Sequence, residues 1–180
     1  KDLAELADAR RFGGGSQQWQ FTWAIFERWS ELDADDLLNA ARTSPNRTIG
    51  YAGTEAAFRQ LAQRDPAGAW KQAQDLGPLT ASAKAAVLQT IGESNPAEAL
   101  KMAQADAATR RNSWSVGPFM QSWLLRDNKA ALDALAAIPS GGPRTILVWQ
   151  VGPAFATMDP IAGYISPFGL IRGAASKLAV

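Results

Sequence analysis

The chain has 180 residues, 47% of them apolar, and its 18 Lys and Arg nearly balance 17 Asp and Glu for a net charge of +1. That is enough chain to bury a core, and the balance gives no general pull toward nucleic acid or anionic lipid. Cysteine and histidine do not occur, which excludes zinc sites built from them, disulfide frameworks and Ser-His-Asp or Cys-His nucleophiles; no apolar run approaches the ~20 residues of a membrane span.

The first residue is Lys1 rather than Met, and the expectation is a piece of a longer chain. Asp2 stands 31 residues before Asp33 and is read as the opening of a truncated first unit. "RFGGGSQQ" (Arg11–Gln18) is read as a flexible loop. Three glycines can cradle a phosphate, but no strand precedes them and no Lys-Ser/Thr follows.

From there a pattern recurs. Asp33, Asp65, Asn95, Asp127 and Asp159 follow one another at spacings of 32, 30, 32 and 32, and Pro follows directly at Pro66, Pro96 and Pro160. Four residues upstream of each anchor stand Trp29, Leu61, Ile91, Trp123 and Phe155. Seven upstream stand Phe26, Phe58, Leu88, Met120 and Gly152, and eight upstream Ile25, Ala57, Val87, Phe119 and Val151. Positions −8, −7 and −4 share one helical face. Position −3 is mostly small (Ser30, Ala62, Gly92, Leu124, Ala156), which would let a neighbouring helix approach closely. Downstream, Leu37, Ala69, Ala99 and Ala131 at +4 are joined by Leu38, Trp70, Leu100 and Leu132 at +5. That is a second apolar stripe.

An Asp at the N-cap accepts from backbone N–H groups of the first turn, and a Pro at the first helical position loses no bond there. Each anchor is therefore read as a corner between a helix A and a helix B. Helix B then ends in turn chemistry at Thr43–Asn46, Gly77-Pro78 and Pro139–Pro143. One such hairpin buries too little to stand alone, so the predicted fold is all-α: an α-solenoid of about five helix-turn-helix repeats with a period near 32 residues. It forms a single helical-repeat domain over 1–180, with the repeat core at about 20–160 and an irregular cap or remnant at 161–180, where Gly163, Pro167 and Gly169 interrupt helix B.

The stretches Asp65-Pro66-Ala67-Gly68-Ala69-Trp70 and Asn95-Pro96-Ala97-Glu98-Ala99-Leu100 carry a resemblance. They resemble tetratricopeptide-like and HEAT-like helical repeats, and are similar to bacterial Asp-Pro-repeat proteins of unknown function. The resemblance covers about residues 20–160. It implies an interaction scaffold and identifies no ligand.

"WSVGP" at Trp114–Pro118 recurs as "WQVGP" at Trp149–Pro153. A Gly-Pro step there would either kink helix A or mark its start. Of the seven tryptophans, Trp29, Trp70 and Trp123 fall on the repeat register and are expected in the core; Trp19, Trp23, Trp114 and Trp149 fall off it. The candidate ligand surface is Arg110, Arg111, Trp114 and Trp149, because Arg beside an aromatic ring offers charge and stacking. The acidic group Glu31, Asp33, Asp35 and Asp36 surrounds a helix start, where acid complements the macrodipole, and lacks the spaced oxygens and Gly of a calcium loop.

No carboxylate pair stands in a buried context, so general acid–base chemistry has no support. Catalytic, cofactor and metal sites are therefore not expected. The leading expectation is a non-catalytic scaffold that binds a protein or peptide. Two alternatives stand beside it. A helical-repeat nucleic-acid binder would gather Arg42, Arg47, Arg110, Arg111 and Arg144 on one face. The helical part of a larger envelope glycan-processing enzyme would have a cleft lined by carboxylates and aromatics.

Overall fold

The structure is a computed structural model and describes residues 16–106, 116–139 and 141–158. All regular elements among the described residues are helical, as expected from the sequence. They are α1 (Ser16–Leu32), α2 (Ala34–Thr43), α3 (Arg47–Arg64), α4 (Pro66–Gln72), a 3₁₀ turn (Gly77–Leu79), α5 (Thr80–Ser94), α6 (Pro96–Ala105), α7 (Gly117–Arg126), α8 (Asn128–Ala137) and α9 (Gly142–Met158).

Four helix-to-helix corners share one geometry. Asp33, Asp65, Asn95 and Asp127 are extended, with φ of −156°, −145°, −140° and −144°. Each side chain accepts from the backbone N–H three residues on: Asp36, Gly68, Glu98 and Ala130, at 2.9, 3.0, 3.2 and 3.0 Å. Each anchor's own N–H donates to the carbonyl four residues back, at Trp29, Leu61, Ile91 and Trp123, so it also closes the incoming helix. One residue thus ends one helix and starts the next with a single non-helical step. Pro66 and Pro96 fit because no N–H is needed at the first helical position. The fifth anchor, Asp159, lies outside the described residues, as do Asp2, the Arg11–Gly15 part of the glycine loop and the segment 161–180.

The apolar columns read from the sequence are buried. At position −7 Phe26, Phe58, Leu88 and Met120 are all enclosed, and at +4 so are Leu37, Ala69, Ala99 and Ala131. Trp29 and Trp123 are core residues as expected, whereas Trp70 is half-buried beneath the Lys84 ammonium, 5.6 Å from its ring centroid.

The chain divides into two compact units, Lys1–Thr90 and Ile91–Val180. In the first, α1 packs on α2 and α3, α2 on α3, and α3 on α4. Two glycines set the α2–α3 spacing. A Cβ at Gly50 would stand 3.0 Å from the Ala41 carbonyl oxygen, and one at Gly53 would stand 3.1 Å from Ala41 Cβ. Gly77, at φ +56°, makes the turn after α4 that other residues rarely adopt.

In the second unit α7 packs on α6, α8 and α9, and α8 on α9. Phe119, Met120, Trp123, Leu124, Leu135 and Val151 form its core. The small residue at −3 permits close approach here: a Cβ on Gly92 would lie 2.7 Å from Phe119 Cβ.

The two Gly-Pro steps behave differently. Gly117-Pro118 begins α7, with Val116 as its N-cap, while Gly152-Pro153 runs inside the continuous α9.

Candidate functional site

Trp149 is the sequence-predicted site residue that falls within the described part of the chain; Arg110, Arg111 and Trp114 lie outside it. On α9, Leu147, Val148 and Val151 are buried, and Trp149 (61% exposed) and Ile146 (38%) face solvent. At 3.6 residues per turn, positions 146 and 149 lie together, opposite the buried three. Pro153 has no N–H to return to the Trp149 carbonyl, so the helix leaves that oxygen without its usual donor beside an exposed indole.

Gln150, next on the helix, turns toward α7. Its side chain fills the space where a Cβ on Gly117 would stand, and both its amide atoms are buried without a partner among the described residues. Gln121 Nε2 of α7 donates to the Gln150 carbonyl at 2.7 Å. Those contacts fix the rotation of α9 on α7 and hold Trp149 outward. On α7, Pro118 and the 59%-exposed Leu125 are also on solvent-facing positions.

The other off-register tryptophan with a described side chain, Trp23, is not free. It is half-buried, with the Arg59 guanidinium 5.5 Å over its ring, and Arg59 also pairs with Glu27 and Glu55. Nor are the arginines proposed as a basic face all available. Arg144 donates to the Ile138 carbonyl at 3.3 Å, at the end of α8. Arg42 and Arg47 are exposed, at the end of α2 and the start of α3. Lys129 is held above its ordinary value by a hydrogen bond from its ammonium to Asp133 one turn on. That pair is fully exposed and carries no chemistry.

Of the acidic group around Asp33, Asp33 caps α2 and Asp36 accepts from the Trp29 indole N–H at 3.0 Å. Both are structural. Among the described residues no group of three or more acidic side chains is placed to hold a metal ion, and no helix is long and apolar enough to cross a membrane.

The sequence reading did not find two features. One is a cleft of about 670 Å³ in the first unit, bounded by α1, α2, the α2–α3 loop and the start of α3. It forms because the loop Ser44–Asn46 swings α3 away from α2 before Gly50 and Gly53 bring the two helices together; one sequence has no signal for that opening. The other is a pair of arginines one residue before a corner. Arg64 donates to the Glu31 carbonyl at 3.3 Å, and Arg126 to those of Glu93 and Gly92 at 2.6 and 2.9 Å. Each guanidinium covers the open C-terminal carbonyls of the neighbouring helix A. The −1 column, had it been aligned, would have exposed this pair.

No protein-family model matches the chain, and no curated protein or solved structure is recognisably similar to it.

Proposed function

We propose that the chain is part of an α-solenoid of about five hairpin repeats, with a period near 32 residues and of tetratricopeptide-like type. It serves as a non-catalytic scaffold for a protein segment, bound on the outer face of α9 and α7. The repeat reading is supported by four corners with the same cap, and by arginine bonds that reach the neighbouring hairpin at offsets of 33 and 34 residues. The binding reading rests on one observation: Trp149 stands 61% exposed on a helix whose opposite side is fully packed. An exposed indole costs solubility and contributes nothing to the core. Tryptophan is also the residue most enriched where binding energy concentrates.

The occupant that fits is a peptide segment with an apolar side chain for the Trp149–Ile146 face and a backbone N–H for the Trp149 carbonyl. Peptides selected from a random display library on the wild-type chain test this. Selected peptides should lose at least about tenfold in affinity on Trp149→Ala, the loss of a ~1.4 kcal/mol contact. Selection of no peptide, or of peptides that bind Trp149→Ala equally well, refutes the reading.

A further inference from the structure

The cleft of the first unit is separate from the Trp149 face and has a different chemistry. Its floor is apolar: Phe26 and Trp29 from α1 and Leu37 from α2. Its rim is polar, formed by the end of α2, the loop and the start of α3. The hydrogen bonding of that rim decides what it can receive. Thr43 Oγ1 donates to the Asn39 and Ala40 carbonyls. Ser44 Oγ donates to the Asn46 carbonyl and accepts from the Asn46 N–H. Asn46 Oδ1 accepts from the Thr48 and Ile49 N–H groups.

The local acceptors are thus engaged. What remains is the donating end of the Asn46 amide, the Thr48 hydroxyl and the Arg47 guanidinium. Arg47 makes no ion pair or hydrogen bond among the described residues, and no acidic residue lines the cleft. A donor-rich, cationic rim over an apolar floor complements an anionic acceptor joined to an apolar body. The volume falls in the range of small-molecule sites.

We infer that this cleft is a binding site for a small amphiphilic carboxylate, with its tail against Phe26, Trp29 and Leu37 and its carboxylate on Arg47. Only the planar guanidinium offers a carboxylate two parallel N–H donors. Asn46 and Thr48 add neutral donors beside it.

The test titrates octanoate, and separately its neutral counterpart octanamide, into the full chain labelled with ¹⁵N. The expected result is saturable binding of octanoate with Kd below about 1 mM, with shifted amides confined to residues around 26–53. Octanamide should bind at least tenfold more weakly. Arg47→Met should weaken octanoate about tenfold or more, leave octanamide unchanged, and leave thermal unfolding unchanged because Arg47 is exposed. Ala40→Phe, which fills the cleft from α2, should abolish binding of both, with Ala40→Leu as the milder plug should the larger residue unfold the chain. Any one of three results overturns the assignment: no saturable shifts, equal affinity for octanoate and octanamide, or undiminished octanoate binding to Arg47→Met. None of these outcomes depends on the Trp149 face.

Discussion

Gly92→Ala and Gly152→Ala make the same chemical change in two helices and should move stability in opposite directions. Glycine inside a helix costs up to about 1 kcal/mol relative to alanine, so on propensity alone both substitutions stabilise. At Gly152 nothing lies within 4 Å of the added Cβ, and the gain of about 0.5–1 kcal/mol is realised. At Gly92 the Cβ would meet Phe119 Cβ, Cγ and Cδ2 at 2.7, 2.9 and 3.0 Å. Ordinary carbon contacts sit near 3.5–4.0 Å, so α5 and α7 must part by roughly 1 Å. Phe119 cannot yield instead, because it is 1% exposed and enclosed in the core. Separation also stretches the Arg126 bonds to the Gly92 and Glu93 carbonyls. Overpacking of this kind costs about 1–3 kcal/mol, which outweighs the propensity gain. The expected net loss is about 1–2 kcal/mol, a fall in Tm of about 2–8 °C for a chain of this size. Urea unfolding followed by helical circular dichroism measures both variants, with unchanged m showing that the unfolded states are comparable. Phe119→Leu in the Gly92→Ala background should cost less than the two single changes added together. Should Gly92→Ala stabilise as Gly152→Ala does, the tight α5–α7 seam does not exist in solution.

The remaining predictions concern caps, staples and one buried hydroxyl. Asp65→Ala and Asp127→Ala should each lower stability by about 1 kcal/mol, and Asp65→Asn by much less, because the amide oxygen can still accept from Gly68 N–H; chemical unfolding of the three variants reads this directly. Arg126→Ala removes two hydrogen bonds to backbone and should cost about 1–2 kcal/mol by the same assay, with Arg126→Lys recovering part of it. Thr54 is 0% exposed and its hydroxyl has no partner among the described residues, so Thr54→Val should raise stability by about 1 kcal/mol. Trp123→Ala should cost about 3–5 kcal/mol, whereas the exposed Trp149→Ala should stay within about 0.5 kcal/mol of wild type, both measured by thermal melting.

The all-α class, the corner positions and the buried stripes were legible because each rests on a local rule repeated four times. An Asp or Asn followed three residues on by its own hydrogen-bond donor needs no distant partner. Helical spacing then carries Phe26, Phe58, Leu88 and Met120 to equivalent buried places. Trp70 was misjudged as core for a related reason: it follows an alanine-rich turn, so its stripe is thin, and Lys84 from α5 covers the ring instead of an apolar neighbour. Trp23 was grouped with the exposed tryptophans because its cover, Arg59, is 36 residues away, and no pattern within α1 announces it. The cleft depends on the path of the α2–α3 loop, which tertiary packing decides.

The arginine staples link local and long-range order. A corner cap fixes where one helix ends and the next begins, but says nothing about the helix beside it. Arg64 and Arg126 make that second connection, because each stands one residue before a cap and reaches the carbonyls just before the preceding cap but one hairpin back. The cap holds the arginine at the end of its own helix, and the arginine in turn holds the neighbouring helix end within reach of a side chain. Both bonds fall inside a compact unit, Arg64 to Glu31 in the first and Arg126 to Glu93 in the second. At the intervening corner the same position is Ser94, whose hydroxyl closes on Ile91 of its own helix. Ser94→Arg offers the second unit a guanidinium where it now has a self-satisfied serine. If register alone produces the staple, that substitution should stabilise the chain by about 0.5–1.5 kcal/mol. Loss of stability instead would mean that Arg64 and Arg126 depend on side chains particular to their own seams.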